Sequence, residues 1–327
     1  MRRLLIWLYS ISGLFFYYRK KQKSPIVLFW HGVSDKASPD IEGESFPVTL
    51  FLKQIRYLKH HYEIISMDEY YERYKNHTFN NHEVVITFDD GYKNNLTVAA
   101  PILKSLNIPF TVFISAQNVE TQERFYVLTP RLIIIGASLE QVDIPMLSYS
   151  RHCTTHKDRV ECAHEIEYRI KYLPHEEAIQ VSNFLISLIG KEKYSELCQK
   201  YTEGNLLSWQ DVITLSRDFN CTIGSHCLNH CICHQTQDKE IVKIQIEDSK
   251  HLIENRTGFK CEYFAYPNGD YTDYSNKVVA ANYKMGFSTE RIHAYDSNSL
   301  ASIGRIGVSS SFLLFKYAIT MGAKQFR

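Results

Sequence analysis

The 327-residue chain carries almost no net charge, +1 at pH 7. Without a broad basic field there is nothing to hold a phosphate backbone, so no nucleic-acid partner is expected. No C-x-x-C pair occurs among its eight cysteines; Cys221, Cys227, Cys231 and Cys233 crowd together instead. That spacing excludes a regular disulfide framework, and a chain of this length needs no staples. The thiols read as reduced, small buried hydrophobes. No apolar run reaches the roughly 20 residues needed to span a bilayer. There is no internal repeat and no low-complexity tract. What is present is an ordinary globular composition, 44% apolar and 22% charged, enough for one α/β barrel domain or two smaller domains. Tyrosine and phenylalanine are plentiful, as core residues or as sugar-facing surfaces.

The N-terminus departs from that composition. "MRRLLIWLYSISGLFFYYRKKQKSP" has a basic start, an apolar run from Leu4 to Tyr18, then Arg19, Lys20, Lys21 and Lys23. No small-x-small cleavage site follows. Aromatics flanked by cations suit a helix lying on an anionic leaflet. Residues 1–23 are therefore read as a membrane-associated or signal-anchor segment, placing the protein at an inner membrane. A cleaved secretory signal (a secreted or periplasmic protein) and a plain first helix (a cytoplasmic one) are the other readings. Residues 24–327 form the main domain.

Within that domain, strands and helices alternate. "PIVLFWHGV" reads as a buried strand ending in a His-Gly turn, residues 49–62 have helical apolar spacing, and "VVIT" is a β-branched strand running into Asp89 and Asp90. A helix ends near Pro109, and "FTVFIS" is another strand. From about 118 to 205 the rhythm breaks into a mostly helical stretch without a chemistry motif, read as an insertion on the loop side. Ser208 then caps a helix, and the strands "CTIGSH", "CEYFAY" and "SIGRIGV" resume the pattern. This β-α-β order implies a parallel sheet.

Polar clusters follow the apolar strands: His31, Asp89-Asp90, His226 with His230, and Pro267-Asn268-Gly269. In a parallel barrel all strand ends face one mouth, so residues far apart in sequence converge there. Two adjacent carboxylates at a strand end cost solvation unless something occupies them, although an Asp-Gly turn in water is the simpler alternative. If His226 and His230 enter a helix, their i, i+4 spacing brings both imidazoles to one ion. One carboxylate completes a two-histidine, one-carboxylate site with positions left open. Asp90 can supply it. Asp89, diverging from it, is left free for general-base work. Such a set suits a divalent cation, zinc first, with cobalt, nickel or iron also accepted.

"TFDDGY", "IGSHCLNH" and "FAYPNGDY", in that order and spacing, resemble the first three motifs of the NodB-type polysaccharide deacetylases, carbohydrate esterase family four. The resemblance covers about 25–115 and 206–310. It implies an α/β fold, a deformed parallel (β/α)7 barrel, and metal-dependent removal of N-acetyl or O-acetyl groups from a cell-surface or extracellular polysaccharide or its precursor. Asp89 takes the catalytic-base position, and Asp90, His226 and His230 the metal positions. The turn after Tyr266-Pro267 takes the oxyanion and substrate position, with the Asn268 N–H as donor.

The departures are specific. The third motif often reads Phe-Arg-Pro-Pro-Tyr-Gly; here Ala265 replaces the arginine that orients the base, and Asn268 replaces the tyrosine. Cys227 stands where a serine or threonine usually supports the site. The family's Leu-x-His motif, carrying the general acid, is not evident, and His293 sits in a polar loop. The "FAYPxG" form and "LFWHGV" resemble the exopolysaccharide N-deacetylase branch, whose acid lies on the first strand. That assigns the acid role to His31, with turn capping as its alternative. A catalytically degenerate glycan binder and a metal-dependent amidohydrolase of a non-sugar amide are the competing functions.

Overall fold

A computed structural model of the chain describes residues 6, 9, 12–22, 24–80, 82–290 and 299–322. Seven parallel strands form its centre: β1 (Ile26–Trp30), β2 (Glu83–Phe88), β3 (Phe110–Ile114), β4 (Cys221–Ser225), β5 (Tyr263–Ala265), β6 (Met285–Phe287) and β7 (Ile306–Gly307). Their spatial order is β6-β5-β4-β3-β2-β1-β7, and a short strand, Glu63–Ile64, also pairs with β2. Residues 303–307 cross the seam: Ile303 bridges Phe287 of β6, and β7 pairs with β1. The sheet thus curls into the deformed (β/α)7 barrel that the sequence implied.

Strand parity sorts the side chains. Val27, Val85, Phe113, Tyr263, Ala265, Phe287 and Ile303 pack together inside the barrel. Ile26, Leu28, Trp30, Ile86, Phe88, Val112, Ile114 and Phe264 pack outward beneath the helices. Successive strand residues face opposite sides, so a parallel sheet buried on both faces reads as continuous apolar sequence. Helix Trp209–Asp218 begins at Ser208 with a full capping box.

Residues of the expected insertion have a core of their own, including Ile133, Ile134, Val142, Ile144, Ile166 and Leu185. Three helices, His156–Lys171, His175–Ile189 and Lys191–Lys200, supply part of it, and residues between Phe125 and Cys153 much of the rest. The stretch is not only helical: Gln141–Ile144 pairs antiparallel with Tyr149–His152. These four-residue strands alternate exposed with more buried positions and include Gln141, Asp143, Ser150 and Arg151, so no apolar run announced them.

Near the N-terminus, helix Leu14–Lys20 buries Phe15, whose ring lies 5.6 Å from Lys316 Nζ, and its Arg19 Nη1 donates to Tyr57 Oη at 3.3 Å. Phe16 and Tyr17 are exposed. No described helix is long and apolar enough to cross a membrane. His293 lies outside the described residues.

Candidate active site

β2 ends at Phe88, and its alternation carries Asp89 to the same side as Val85 and Thr87. The next two residues reverse the chain. Asp90 and Gly91 both have φ 74°, and a Cβ at Gly91 would sit 2.8 Å from Ile114 Cγ2. Glycine meets both demands of that turn. Asp90 therefore leaves the line of Asp89, and the two carboxylates serve different neighbours.

Asp89 is held by Arg305, which sequence reasoning missed. Nη1 and Nη2 donate to Oδ1 and Oδ2, each at 2.7 Å. The guanidinium is fully buried between Phe29 and Phe113, and also donates to the Ser288 carbonyl and Thr87 Oγ1. The missing arginine of the third motif is thus supplied from just before β7. Its signals were an arginine inside the apolar stretch "SIGRIGV" and its parity with inward Ile303. Burial works against the Asp89 charge, but Arg305 and His226 outweigh it and hold the carboxyl below its usual range.

Asp90 Oδ1 lies 3.5 Å from His226 Nε2 and 3.4 Å from His230 Nε2, and among the described residues it has no hydrogen-bond partner. Ligand atoms of Asp90, His226 and His230 all fall within 4.8 Å of one another, and all three residues are buried. The histidines do not sit on a helix. Cys227 and His230 adopt left-handed φ of 63° and 59°, and this tight loop, rather than i, i+4 spacing, brings the rings together. His226 Nδ1 is 2.7 Å from the Ala265 carbonyl, an acceptor only, so Nδ1 carries the proton and Nε2 keeps its lone pair. Burial pushes His226 down to about 4, so the ring is neutral at pH 7. An unpartnered buried carboxylate oxygen facing two imidazole nitrogens is a donor set that fits a divalent cation.

These residues share one cavity of about 280 Å³ with Phe29, His31, Glu44, Asn268 and Thr289. The barrel does not supply the whole wall. Phe125, Val127, Leu128, Glu167 and Lys171 come from the insertion, where the sequence showed no motif. The insertion also grips the histidine loop: Tyr126 Oη donates to the His230 carbonyl at 3.2 Å, and His175 Nε2 lies 2.8 Å from Asn229 Oδ1.

His31 is where continued β1 alternation puts it, on the side of Val27 and Phe29. Its Nδ1 lies 3.7 Å from Glu44 Oε2. Burial disfavours its charge, but Asp90, Glu44 and Asp89 outweigh burial and raise its pKa. Glu44, which no motif marked, is therefore part of the site. Asn268 lines the cavity in a left-handed turn with φ 58°. Tyr266 is not brought to it. Its parity matches Phe264, and its fully buried ring packs 5.0 Å from Phe264 and 5.4 Å from Tyr271. A substrate role for the Tyr266 side chain does not agree with that placement. Cys227 is likewise buried away from the cavity, in the outward core.

The polysaccharide deacetylase profile matches residues 75–287. The chain belongs to the polysaccharide deacetylase family. Members of the family are metal-dependent hydrolases of carbon–nitrogen bonds other than peptide bonds, and the Asp90–His226–His230 cluster is this chain's candidate site for the ion. Among solved structures, the Streptococcus pyogenes deacetylase PplD is 18% identical, with TM-score 0.60 over 92% of this chain and 99% of its own. IcaB from Ammonifex degensii is 16% identical, with TM-score 0.58 over 91% and 96%. The deacetylase domain of BpsB from Bordetella bronchiseptica is 16% identical, with TM-score 0.51 over 87% and 96%. At such identities the likeness is one of fold. Among curated proteins, none matches the chain.

Proposed function

We propose that this deacetylase removes N-acetyl, or O-acetyl, groups from a cell-surface or extracellular polysaccharide or its precursor, with an N-acetylglucosamine exopolysaccharide as the favoured substrate. One observation carries the reading. A single cavity joins an unpartnered Asp90 oxygen and two imidazole Nε2 atoms to a second carboxylate, Asp89, held separately by Arg305.

A divalent cation held by Asp90, His226 and His230, zinc first and cobalt, nickel or iron as alternatives, supplies Lewis acidity toward the acetyl carbonyl and acidifies water. Asp89 accepts a proton from the attacking water. Arg305 occupies one lone pair on each of its oxygens, so each oxygen keeps another. The Asn268 backbone N–H donates to the developing oxyanion. His31 donates a proton to the leaving nitrogen, which departs poorly as an anion. The carboxylates around His31 keep that proton in place to higher pH.

A degenerate, non-catalytic reading drew on the altered third motif and on Cys227. Arg305 at Asp89, and the seating of Cys227 in the outward core, count against that reading. The test is acetate release from a panel of acetylated glycans, with and without chelator. Metal-loaded protein that releases acetate from none of them overturns the proposal.

Placement at a membrane surface belongs to the same proposal, supported by exposed Phe16 and Tyr17 beside Arg19, Lys20 and Lys21. Co-sedimentation with anionic vesicles tests it. Equal sedimentation of a chain lacking residues 1–23 overturns it.

A further inference from the structure

The insertion carries a chain of charges that ends on His31. Glu167, on helix His156–Lys171, receives Arg131 Nε at 2.6 Å and Nη2 at 3.0 Å, and its Oε1 lies 2.9 Å from Lys171 Nζ. The third guanidinium nitrogen of Arg131, Nη1, reaches across 87 residues of sequence to Glu44 Oε1 at 3.2 Å. The other Glu44 oxygen, Oε2, is the one facing His31 Nδ1. The inner pair is the more buried: Glu167 and Arg131 are 7% and 13% exposed, while Glu44 and His31 are 34% and 25%.

A planar guanidinium presents its donors in a fixed fork. With Nε and Nη2 fixed on Glu167, the plane and the directions of the two Nη1 N–H groups are set, and Glu44 Oε1 lies along one of them. Glu167 meets two cations, so its own charge is matched and Arg131 keeps attraction for a second carboxylate. The backbone leaves little slack, since a Cβ at Gly43 would come within 2.5 Å of the Pro39 carbonyl oxygen. A carboxylate on a surface loop would otherwise sample several rotamers. Arg131 selects the one that sends Oε2 toward His31.

Resting on the reading of His31 as the acid, we propose that Arg131, braced by Glu167, is a positioning residue. It fixes the Glu44 carboxylate, and Glu44 holds the Nδ1 side of His31, which leaves Nε2 as the nitrogen that gives up the proton. The insertion therefore sets the aim of the proton donor in addition to walling the cavity.

The test uses the full chain, metal-loaded, on an N-acetylated oligosaccharide and on an activated aryl acetate whose leaving group needs no proton. Arg131→Gln is expected to lower amide turnover about 10- to 100-fold, the range typical of losing a residue that orients a functional ligand. Aryl acetate turnover falls much less, KM holds, and Arg131→Lys recovers part of the loss. In a His31→Ala background, Arg131→Gln adds nothing. In metal-free protein, at a pH where His31 is neutral, its imidazole ¹⁵N signals lose the single-tautomer (Nδ1–H) pattern in Arg131→Gln.

Arg131→Gln leaves Glu167 buried with one cation fewer and can fail to fold. The paired variant Arg131→Met with Glu167→Gln removes both charges and is expected to show the same kinetic loss. Equal losses on both substrates, an additive loss in the His31→Ala background, unchanged His31 signals, or wild-type amide turnover in the paired variant would each overturn the proposal. If His31→Ala itself loses both activities equally, the acid reading fails first. If His31→Ala shows the split and Arg131→Gln does not, only the positioning role fails.

Discussion

The barrel and the insertion line the same cavity with opposite kinds of polar group. Barrel residues arrive from strand ends, and a decisive atom, Asp90 Oδ1, is buried without a partner. The insertion's charged residues at the cavity, Glu167 and Lys171, arrive already matched, with Arg131 and Lys171 both on Glu167. Leaving a buried polar group unpaired costs about 1–3 kcal/mol, more for a charge. Such an atom is retained where something outside the chain binds it, whereas a matched group shapes and aims its neighbours. On the proposed mechanism the barrel is the reacting side and the insertion the supporting side.

The sharpest break of that contrast is at the unpartnered atoms. Asp90→Ala, His226→Ala and His230→Ala should each lower bound metal and abolish hydrolysis, since each removes one of three protein ligands. Metal analysis beside the acetate assay checks this; full occupancy in all three variants would return Asp90 to a mere turn residue. Next in size is Asp89→Asn, which should keep the metal and lose about 10²-fold or more in rate, a typical general-base effect. Loss of metal instead would mean that the roles of Asp89 and Asp90 are exchanged.

A third prediction concerns His175, an insertion residue on the barrel's histidine loop. Burial pushes it down to about 4 from an ordinary 6.5, despite its hydrogen bond to Asn229. The folded state thus resists a proton that the unfolded chain takes up below pH 6.5. The contribution is whole above pH 6.5 and is lost as pH falls toward 4, by on the order of 3 kcal/mol at 1.36 kcal/mol per unit. Urea melts of wild type and His175→Leu across pH 7 to 4 check it. A wild-type slope no steeper than that of the variant would place the acid sensitivity elsewhere.

How far the sequence carried depended on the kind of signal. The barrel was legible because its strands read as apolar runs ending in polar residues, and a parallel sheet brings those ends, with Asp89 and His31, to one mouth. Period-two alternation, followed through β5, puts Tyr266 with Phe264 on the outward face, so a motif position overrode a parity that was readable. Arg305 was less accessible. Its partner lies 216 residues away, and only a guanidinium among apolar neighbours hinted at burial. The insertion's share of the cavity was not legible at all, because Phe125, Glu167 and Lys171 are ordinary helix or turn residues until the tertiary fold sets them beside Asp89. The histidine pair was found for an insufficient reason: helical spacing was the warrant, and left-handed backbone at Cys227 and His230 does the converging.

The smallest expected effect is at Lys171, and it tests the supporting side most directly. Lys171 lines the cavity and meets Glu167, but its side chain is 28% exposed, and Glu167 retains both Arg131 contacts without it. Lys171→Ala therefore orphans no buried charge, and stability should move by no more than about 0.5 kcal/mol, as for most surface changes. Its ammonium has three donors, one of them directed at Glu167, so the others can meet a sugar hydroxyl. KM should rise by about threefold or less, the loss of one exposed hydrogen bond at under 1 kcal/mol, while kcat holds. Steady-state kinetics on an N-acetylated oligosaccharide reads both numbers. A fall in kcat comparable to that of Asp89→Asn would show that the insertion contributes a reacting group, and the division between the two regions would fail at that residue.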